Sequence, residues 1–344
     1  MSKLHILVTG GAGYIGSHVV KQLLENTPHD VTILDNLSTG HAETVRTLEG
    51  MLPEGQKGRL RFVEQDLSDF EGVERVFRSN TFDALIHFAA SIVVPESVTD
   101  PLKYYMNNTV NTTNVIRLCN VYGVGKMIFS STAAVYGDPV EIPVKETTPV
   151  GPINPYGHSK RMSEQVIMDA AAANEAFDYV ILRYFNVAGA DIGNRIGQSF
   201  PDATHLIKVA AQTVTGQREK MYIFGEDYET PDGTCIRDYI HVDDLADAHL
   251  AALEYLDAPR GDVENIFNVG YGHGFSVREV IDTMKKVAGV DFAVEKGPRR
   301  PGDSAVLVSD NTKIRETMKW EPKHDDLELI CRTALAWEEK LAAG

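Results

Sequence analysis

Tyr156 and Lys160 are the residues in this sequence best suited to chemistry. They are four residues apart, so a helix through them places both side chains on one face. A free phenol has a pKa of about 10 and is a poor base at neutral pH. A neighbouring ammonium group lowers that pKa by stabilising the phenolate, which makes the phenol usable as a general base. The pair therefore predicts removal of a proton from a substrate hydroxyl.

A run of hydroxyl residues upstream supports this interpretation. Residues 127–129 form an apolar run typical of a strand, and the run continues into Ser130, Ser131 and Thr132. Hydroxyl groups at the end of that strand could share the proton that the phenol removes. A Tyr-x-x-x-Lys spacing alone usually lies on a solvated helix face, but its place after these hydroxyls and after a nucleotide-binding turn favours catalysis. We predict Tyr156 and Lys160 as catalytic residues, together with a hydroxyl from the run Ser130, Ser131 and Thr132.

A glycine-rich turn near the start of the chain predicts a dinucleotide site. An apolar run ends at Thr9, and the sequence then reads Gly10-Gly11-Ala12-Gly13-Tyr14-Ile15-Gly16 before apolar residues return at helical spacing. Such glycines let backbone N–H groups approach a pyrophosphate at the positive end of a helix. A second apolar run ends on Asp35, whose carboxylate can accept both ribose hydroxyls of an adenosine. No arginine follows Asp35 to bind a 2′-phosphate, so the sequence predicts NAD over NADP.

The elements around these motifs alternate between strand-like and helix-like segments through the first half of the chain. That alternation predicts an α/β fold, a doubly wound parallel (Rossmann) sheet with ligands at the carboxyl ends of its strands. Glycine and proline become frequent after Asn186, which indicates a smaller C-terminal α/β substrate domain. We predict an NAD-binding domain over residues 1–186 and a substrate domain over 187–344, with part of 236–270 packing back on the first domain. The predicted helices include 102–122, 159–173, 204–215, 277–288 and 327–341.

Bulk composition narrows the possible partners. The chain has 344 residues and a formal net charge of −16, which disfavours nucleic acid and anionic membranes as ligands. Three cysteines at positions 119, 235 and 331 have no metal or redox spacing, so we predict reduced thiols and no metal site. No apolar run approaches the ~20 residues of a membrane span. The first strand begins without room for a signal peptide, and we expect a cytoplasmic protein.

Taken together, the motifs resemble those of the extended short-chain dehydrogenase/reductases and, within them, the UDP-galactose 4-epimerases. The resemblance covers nearly the whole chain, and its last three blocks are specific to nucleotide-sugar members. The blocks are residues 10–16, Asp35-Asn36-Leu37, Tyr104-Tyr105-Met106-Asn107-Asn108, residues 129–136, residues 156–160, Leu182-Arg183-Tyr184-Phe185-Asn186, Arg237-Asp238-Tyr239-Ile240-His241-Val242 and Pro298-Arg299-Arg300-Pro301-Gly302-Asp303.

The resemblance implies a reaction. It is the reversible 4-epimerisation of UDP-glucose and UDP-galactose through a transient 4-keto sugar, with hydride passed to and from tightly bound NAD. Tyr156 would act as the base, Thr132 stands where the family usually has serine, and Lys160 would bind the nicotinamide ribose. The family also implies a homodimer, in which the helices 102–122 and 159–173 pair with those of a second copy.

The strand ends and the resemblance together predict two sets of binding residues. For the cofactor they are Gly10, Gly13, Tyr14, Ile15, Gly16, Asp35, Asn36, Asp66, Leu67, Phe88, Ala89, Ala90, Asn107, Ser130, Tyr156, Lys160 and Tyr184. For the UDP-sugar they are Thr132, Tyr156, Phe185, Asn186, His205, Leu206, Tyr222, Phe224, Arg237, Tyr239, Arg300, Asp303 and Leu307.

Three other functions remain open. Sugar-nucleotide 4,6-dehydratases share the Tyr/Lys pair but carry an acidic pair where this chain has Ala133 and Ala134. A 4-epimerase of N-acetylated or uronic UDP-sugars is closer, and the resemblance implies that the bulk at Leu307 decides it. We expect leucine there to favour UDP-glucose and UDP-galactose over the N-acetylated pair. A non-catalytic NAD-sensing module would not need Tyr156, Lys160 and Thr132 together.

Overall fold

A seven-stranded sheet carries the nucleotide-binding motifs in the computed structural model, which describes residues 3–257, 265–300 and 303–343. Its strands are β1 (His5–Thr9), β2 (Asp30–Asp35), β3 (Leu60–Glu64), β4 (Ala84–His87), β5 (Lys126–Thr132), β6 (Asp178–Tyr184) and β11 (Ile266–Val269). They lie in the order β11-β6-β5-β4-β1-β2-β3. The pairs β3–β2, β2–β1, β1–β4 and β4–β5 are parallel. The order reverses between β1 and β4, which is the switch point where doubly wound sheets bind nucleotides. The predicted sheet is confirmed.

The strands form because their apolar residues run almost without interruption. Ile6, Leu7 and Val8 of β1 have no solvent exposure, and the four residues of β4 are buried as well. A parallel strand covered by helices on both faces needs such a continuous run, whereas a strand with one wet face would alternate. These continuous apolar runs are the feature from which the sequence predicts the sheet.

Helices follow these strands, and two of the predicted segments, 102–122 and 159–173, lie among them. The helices are α1 (Tyr14–Asn26), α2 (Ala42–Gly50), α3 (Phe70–Arg78), α4 (Val94–Thr99), α5 (Pro101–Tyr104), α6 (Asn111–Tyr122), α7 (Pro155–Ala173) and α9 (Val242–Asp257). The α7 helix begins four residues earlier than the predicted segment 159–173, because the Asn154 side chain accepts a hydrogen bond from the Gly157 N–H and caps it. Tyr156 and Lys160 therefore both lie on this helix.

The predicted helix 102–122 is interrupted. Residues Tyr105–Val110 form a π-helical segment between α5 and α6. Within it the Asn108 amide donates to the Ser91 carbonyl at 3.0 Å and to the Ser159 hydroxyl at 3.0 Å. Widened turns of this kind often occur at functional sites. The spacing of apolar residues could not predict it, because the bonds that accompany it come from distant parts of the chain.

From Asn186 onward, the part of the chain that the structure describes contains three small sheets. The first pairs β7 (Asn186–Ala188) with β10 (Tyr239–His241), and the second contains β12 (Phe275–Ser276), β9 (Ile236–Arg237) and β14 (Val306–Leu307). The third pairs β8 (Met221–Phe224) with β13 (Val294–Gly297). The helices of this region are α8 (Leu206–Val214), α10 (Val277–Ala288), α11 (Thr312–Met318) and α12 (Leu327–Ala342).

The chain divides into two compact units. One contains the residues up to Val135 together with Asn154–Arg183 and Ala246–Phe267, and the other contains Tyr136–Ile153, Tyr184–Leu245 and the chain from Asn268 onward. Tyr136–Ile153 lies inside the predicted domain 1–186, and Ala246–Phe267 lies inside the stretch predicted to return to it. No helix among the described residues has the length and apolar character that a bilayer crossing requires.

Candidate active site

The amine of Lys160 ties the α7 helix to the end of β5. Its Nζ atom donates to the Ser130 carbonyl at 2.8 Å and lies 4.9 Å from the centre of the Phe129 ring. The Lys160 side chain is almost fully buried, while Tyr156, one turn earlier, is partly buried. Tyr156 forms a hydrogen bond with Thr132, the last residue of β5. The structure thus brings Tyr156, Lys160, Ser130 and Thr132 together.

Burial dominates the electrostatics of this pair. It lowers the pKa of Lys160 to about 7, and the carboxylate of Glu164 opposes that decrease. Burial also raises the pKa of Tyr156, and the hydrogen bond with Thr132 acts in the opposite direction. Lys160 is therefore close to the balance between its charged and neutral forms at neutral pH, so a nearby charge can decide which form it takes.

Tyr104 supports the ring of Tyr156 and was not among the predicted site residues. The two rings meet edge to face with centroids 6.4 Å apart. The Tyr104 hydroxyl donates to the Val93 carbonyl at 2.6 Å and to the Glu96 carboxylate at 2.8 Å, which fixes its ring. Its only signal in the sequence was its place in the Tyr104-Tyr105 motif, since ring packing between distant segments has no local pattern.

The glycine turn is packed too tightly for side chains. Gly10 has a φ of +72°, and a Cβ atom there would lie 2.7 Å from the Ala89 nitrogen, while one on Gly16 would lie 2.3 Å from the Gly10 oxygen. The α1 helix starts after Gly13 with no side-chain cap and no acidic residue in its first turn, which contains Tyr14, Ile15 and Gly16. The N–H groups of a helix's first turn point out of its N-terminus and can bind an anion, and the turn has room for a pyrophosphate only because it is rich in glycine.

Asp35, the last residue of β2, forms hydrogen bonds with the glycine turn and with the chain that follows β2. Its carboxylate accepts the Ala12 N–H at 3.0 Å and the Leu37 N–H at 2.8 Å. Burial raises the pKa of Asp35, and these two hydrogen bonds oppose the increase. Each carboxylate oxygen has a second lone pair, so the group can still accept ribose hydroxyls. The position matches the predicted role in binding adenosine ribose.

The neighbouring strand end holds Asp66 as a ligand candidate. The Asn36 amide donates to Asp66 at 2.6 Å, and hydrogen bonds from Ser68 and Asn36 lower the pKa of the Asp66 carboxyl. An aspartate just before a helix can instead serve as its N-cap, but the α3 helix is capped by Asp69, which accepts the Gly72 N–H at 3.0 Å. Leu67 beside it is buried in the apolar core.

The remaining cofactor candidates follow β4 and β6. Phe88, Ala89 and Ala90 come directly after β4, and the Phe88 N–H donates to the Thr9 carbonyl at 2.9 Å. Asn107 lies in the π-helical segment, where its amide donates to the Ser91 hydroxyl at 2.9 Å. Tyr184 is buried at the end of β6.

Several of the predicted substrate residues lie in the small sheets of the second unit. Asn186 pairs with Tyr239 across β7 and β10, and Leu307 pairs with Arg237 across β14 and β9. The Arg237 guanidinium lies 3.6 Å from the Asp303 carboxylate. Four predicted residues line one cavity of this unit, namely Asn186, His205, Leu206 and Tyr239. Phe185, the neighbour of Asn186, is buried.

A second cation of this unit lies on an aromatic ring. The guanidinium of Arg300 is 3.8 Å from the centre of the Phe224 ring, and Tyr222 lies 6.0 Å from the same ring. Arg300 remains exposed in this arrangement. Pro301 and Gly302 of the predicted motif lie outside the described residues.

These features define a class of protein. A parallel sheet in this order, with a glycine turn after β1 and a tyrosine–lysine pair on the helix that packs against β5, is the arrangement of a Rossmann-fold enzyme of the dehydrogenase/reductase type. The chain belongs to the NAD dependent epimerase/dehydratase family, whose profile matches residues 6–270.

Individual relatives are similar over almost the full length. A UDP-glucose 4-epimerase of Azospirillum brasilense is 52% identical over 336 residues, which cover 98% of this chain and 92% of the relative. The structure of the UDP-Glc/GlcNAc 4-epimerase of Campylobacter jejuni is 58% identical, with a TM-score of 0.85 and coverage of 98% and 99%. A UDP-glucose 4-epimerase of Bifidobacterium longum, solved with NAD+ and UDP, is 36% identical with a TM-score of 0.91 and coverage of 98% of both chains.

Asp35 should make the protein prefer NAD. A 2′-phosphate would meet its carboxylate, so protein freed of nucleotide should bind NAD at least ~10-fold more tightly than NADP. Isothermal titration with both dinucleotides measures the ratio. Asp35→Asn should reduce it, whereas Asp66→Asn, which removes a carboxylate from the neighbouring strand end, should change it little. Equal affinities of the unmodified protein for NAD and NADP would contradict this role of Asp35.

Proposed function

We propose that this protein interconverts UDP-glucose and UDP-galactose by 4-epimerisation, as a cytoplasmic enzyme with NAD as its bound cofactor. The observation that carries the proposal is the buried bond from Lys160 to the Ser130 carbonyl, which holds the helix of Tyr156 against the strand end that carries Thr132. This is a proton-transfer site for a hydroxyl substrate, and it lies in a chain 52% identical to a UDP-glucose 4-epimerase. Conversion of UDP-galactose to UDP-glucose by the purified protein tests the proposal directly.

The residues of the site have separate tasks in this reaction. Tyr156 removes the proton of the sugar C4 hydroxyl, and Thr132, hydrogen-bonded to Tyr156, holds that hydroxyl and shares its proton. The glycine turn and Asp35 would hold NAD, which would supply the hydride acceptor and donor for C4. Lys160 in its charged form stabilises the Tyr156 phenolate. After the 4-keto sugar has turned its other face to the site, Tyr156 gives the proton back.

The second set of residues would hold the UDP group. The guanidinium groups of Arg237 and Arg300 are planar forks that match the oxygens of a diphosphate. Asp303 lies beside Arg237, and the Phe224 ring lies under Arg300, so both cations have a defined resting position. Two such groups are sufficient for an anionic ligand even in a chain with a net charge of −16.

The competing functions differ in how well the residues support them. Ala133 and Ala134 lie in the short helical turn directly after Thr132 and carry no acid or base, which argues against the dehydratases. Turnover of N-acetylated UDP-sugars has a specific observation in its favour, since the Campylobacter jejuni relative is named for both UDP-Glc and UDP-GlcNAc. This second candidate depends on the pocket around Leu307.

Tyr156→Phe keeps the aromatic ring and removes the proton acceptor. Turnover of UDP-galactose should fall at least ~10²-fold, the usual scale for loss of a general base. Binding of UDP-glucose, measured by titration calorimetry, should persist because the proposed diphosphate contacts lie elsewhere. Tyr255→Phe is a matched control, since its hydroxyl bonds Asn265 outside the predicted site. A Tyr156→Phe protein with most of its activity would assign the base to another residue.

Leu307→Ser should change which sugars are accepted. Leucine offers no hydrogen bond to an N-acetyl group, and burying an unpaired amide costs on the order of 1–3 kcal/mol. We therefore expect the unmodified protein to turn over UDP-N-acetylgalactosamine about tenfold or more slowly than UDP-galactose. Leu307→Ser should reduce that ratio of kcat/KM values. Val306→Ser is the control, because successive strand residues point to opposite faces, and equal kcat/KM values for both sugars in the unmodified protein would refute the preference.

We also propose a homodimer formed through an exposed apolar stripe. Leu102 is 71% exposed and Met106 59% exposed, and Val98, Val110 and Met162 are exposed on α4, on the segment before α6 and on α7, elements that pack against one another. A monomer rarely leaves so many large apolar side chains in water, and a second copy of the stripe is a self-complementary partner.

Sedimentation should therefore give about twice the chain mass of 37.9 kDa at micromolar concentration. Leu102→Glu combined with Met106→Glu should shift the protein toward the monomer, because burying two added charges opposes association. Val140→Glu changes a residue that is 98% exposed and should leave the mass unchanged. A single species of one chain mass for the unmodified protein would rule out the dimer.

A further inference from the structure

A buried carboxylate that the mechanism has not used lies on the catalytic helix. Glu164 has no solvent exposure and follows Lys160 by four residues and Tyr156 by eight, so all three occupy one helical face. Its oxygens accept the Ser131 hydroxyl at 2.6 Å and two nitrogens of Arg183 at 2.8 and 2.7 Å. Arg161 approaches from the more exposed side at 3.3 Å.

The hydrogen bond from Ser131 connects the two elements of the site. Ser131 stands on β5 between Ser130, whose carbonyl accepts the Lys160 amine, and Thr132, which bonds Tyr156. The Ser131–Glu164 bond therefore fastens the strand end to the same helix from a third position. Arg183 on β6 is 2% exposed and holds Glu164 through two parallel hydrogen bonds, so the carboxylate has one orientation.

Glu164 also determines the charge environment of Lys160. Glu164 on the same helix and His87 on β4 interact electrostatically with this amine. The cations of Arg183 and Arg161 pair with the Glu164 carboxylate. Burial lowers the pKa of His87 to about 3, so His87 is neutral at pH 7 and does not compete. The carboxylate of Glu164 is then the group that favours the charged amine.

We propose that Glu164 is a positioning residue for the Tyr156–Lys160 pair, which fastens the end of β5 to the catalytic helix and keeps the buried amine of Lys160 protonated. The inference rests on the proposed epimerase reaction, in which charged Lys160 stabilises the Tyr156 phenolate. A residue that only stabilised the fold would leave the protonation of Lys160 unchanged.

The test is the pH dependence of two variants. Glu164→Gln removes the charge but leaves Arg183 buried without its partner, which endangers folding. Glu164→Gln combined with Arg183→Met removes both charges at similar volume and preserves the fold. Glu164→Gln removes the anion alone, so Lys160 loses its proton at a lower pH and the alkaline limb of the pH profile of kcat/KM for UDP-galactose should move down by about one pH unit. The double variant also removes the Arg183 cation, so its limb should move in the same direction by a smaller amount.

Two single variants separate the effects of charge and geometry. Arg161→Gln removes a partly exposed cation that contacts the Glu164 carboxylate. Solvent screens this cation, so the alkaline limb of the kcat/KM profile should stay at the same pH. Ser131→Ala keeps the carboxylate but removes its bond to the strand, so kcat should fall at every pH without movement of the limb. If the limb stays where it is in both Glu164→Gln and the double variant, Glu164 does not set the protonation of Lys160 and the inference is overturned.

An NMR titration makes the test independent of turnover. The pKa of Lys160, followed through labelled lysine side chains and assigned with Lys160→Met, should be lower in the double variant than in the unmodified protein. An unmodified protein without epimerase activity would contradict the proposed function, whereas an unchanged Lys160 pKa would contradict the role of Glu164.

Discussion

A buried amine bonded to the end of a parallel strand is the interaction on which this site depends. The Lys160 Nζ atom reaches the Ser130 carbonyl, and that bond sets the distance between α7 and β5. Tyr156 and Thr132, one from each element, are then brought within hydrogen-bonding reach. Burial makes the charged form of the Lys160 amine costly, so this form needs a neighbouring anion supplied by the protein. The carboxylate of Glu164 is that anion, and its hydrogen-bond partners hold it in position.

Two other sites show buried charged groups that are surrounded by hydrogen-bond partners. Lys208 on α8 and Glu338 on α12 form an ion pair of 2.5 Å, and Gln217 and the Gln198 carbonyl supply further hydrogen bonds. Asp238 has no exposure and accepts hydrogen bonds from Ser309, Tyr271 and Gly272. A buried ionic group with every partner present is tolerated, whereas removal of one partner leaves an uncompensated charge. Asp238 stands between Arg237 and Tyr239, so its bonds orient residues proposed to hold the UDP group.

The sequence by itself determined the central sheet, the glycine turn and the helical face that carries Tyr156 and Lys160. These features depend on local rules, namely continuous apolar runs for buried parallel strands, glycine where a backbone approaches another, and a four-residue spacing on a helix. The candidate residues of the site were also readable as residue types in order along the chain. Their roles in binding remain predictions.

Only the tertiary structure decided which side chains meet. It gave the Lys160 amine the Ser130 carbonyl as its partner, placed the Tyr104 ring against Tyr156 and made Glu164 a bridge between Ser131 and Arg183. It also interrupted the helix 102–122 with a π-helical segment whose Asn108 bonds Ser91 and Ser159. These contacts join residues that are far apart in sequence or on different elements. No local periodicity encodes them, because they arise only after the sheet has brought its strand ends to one edge.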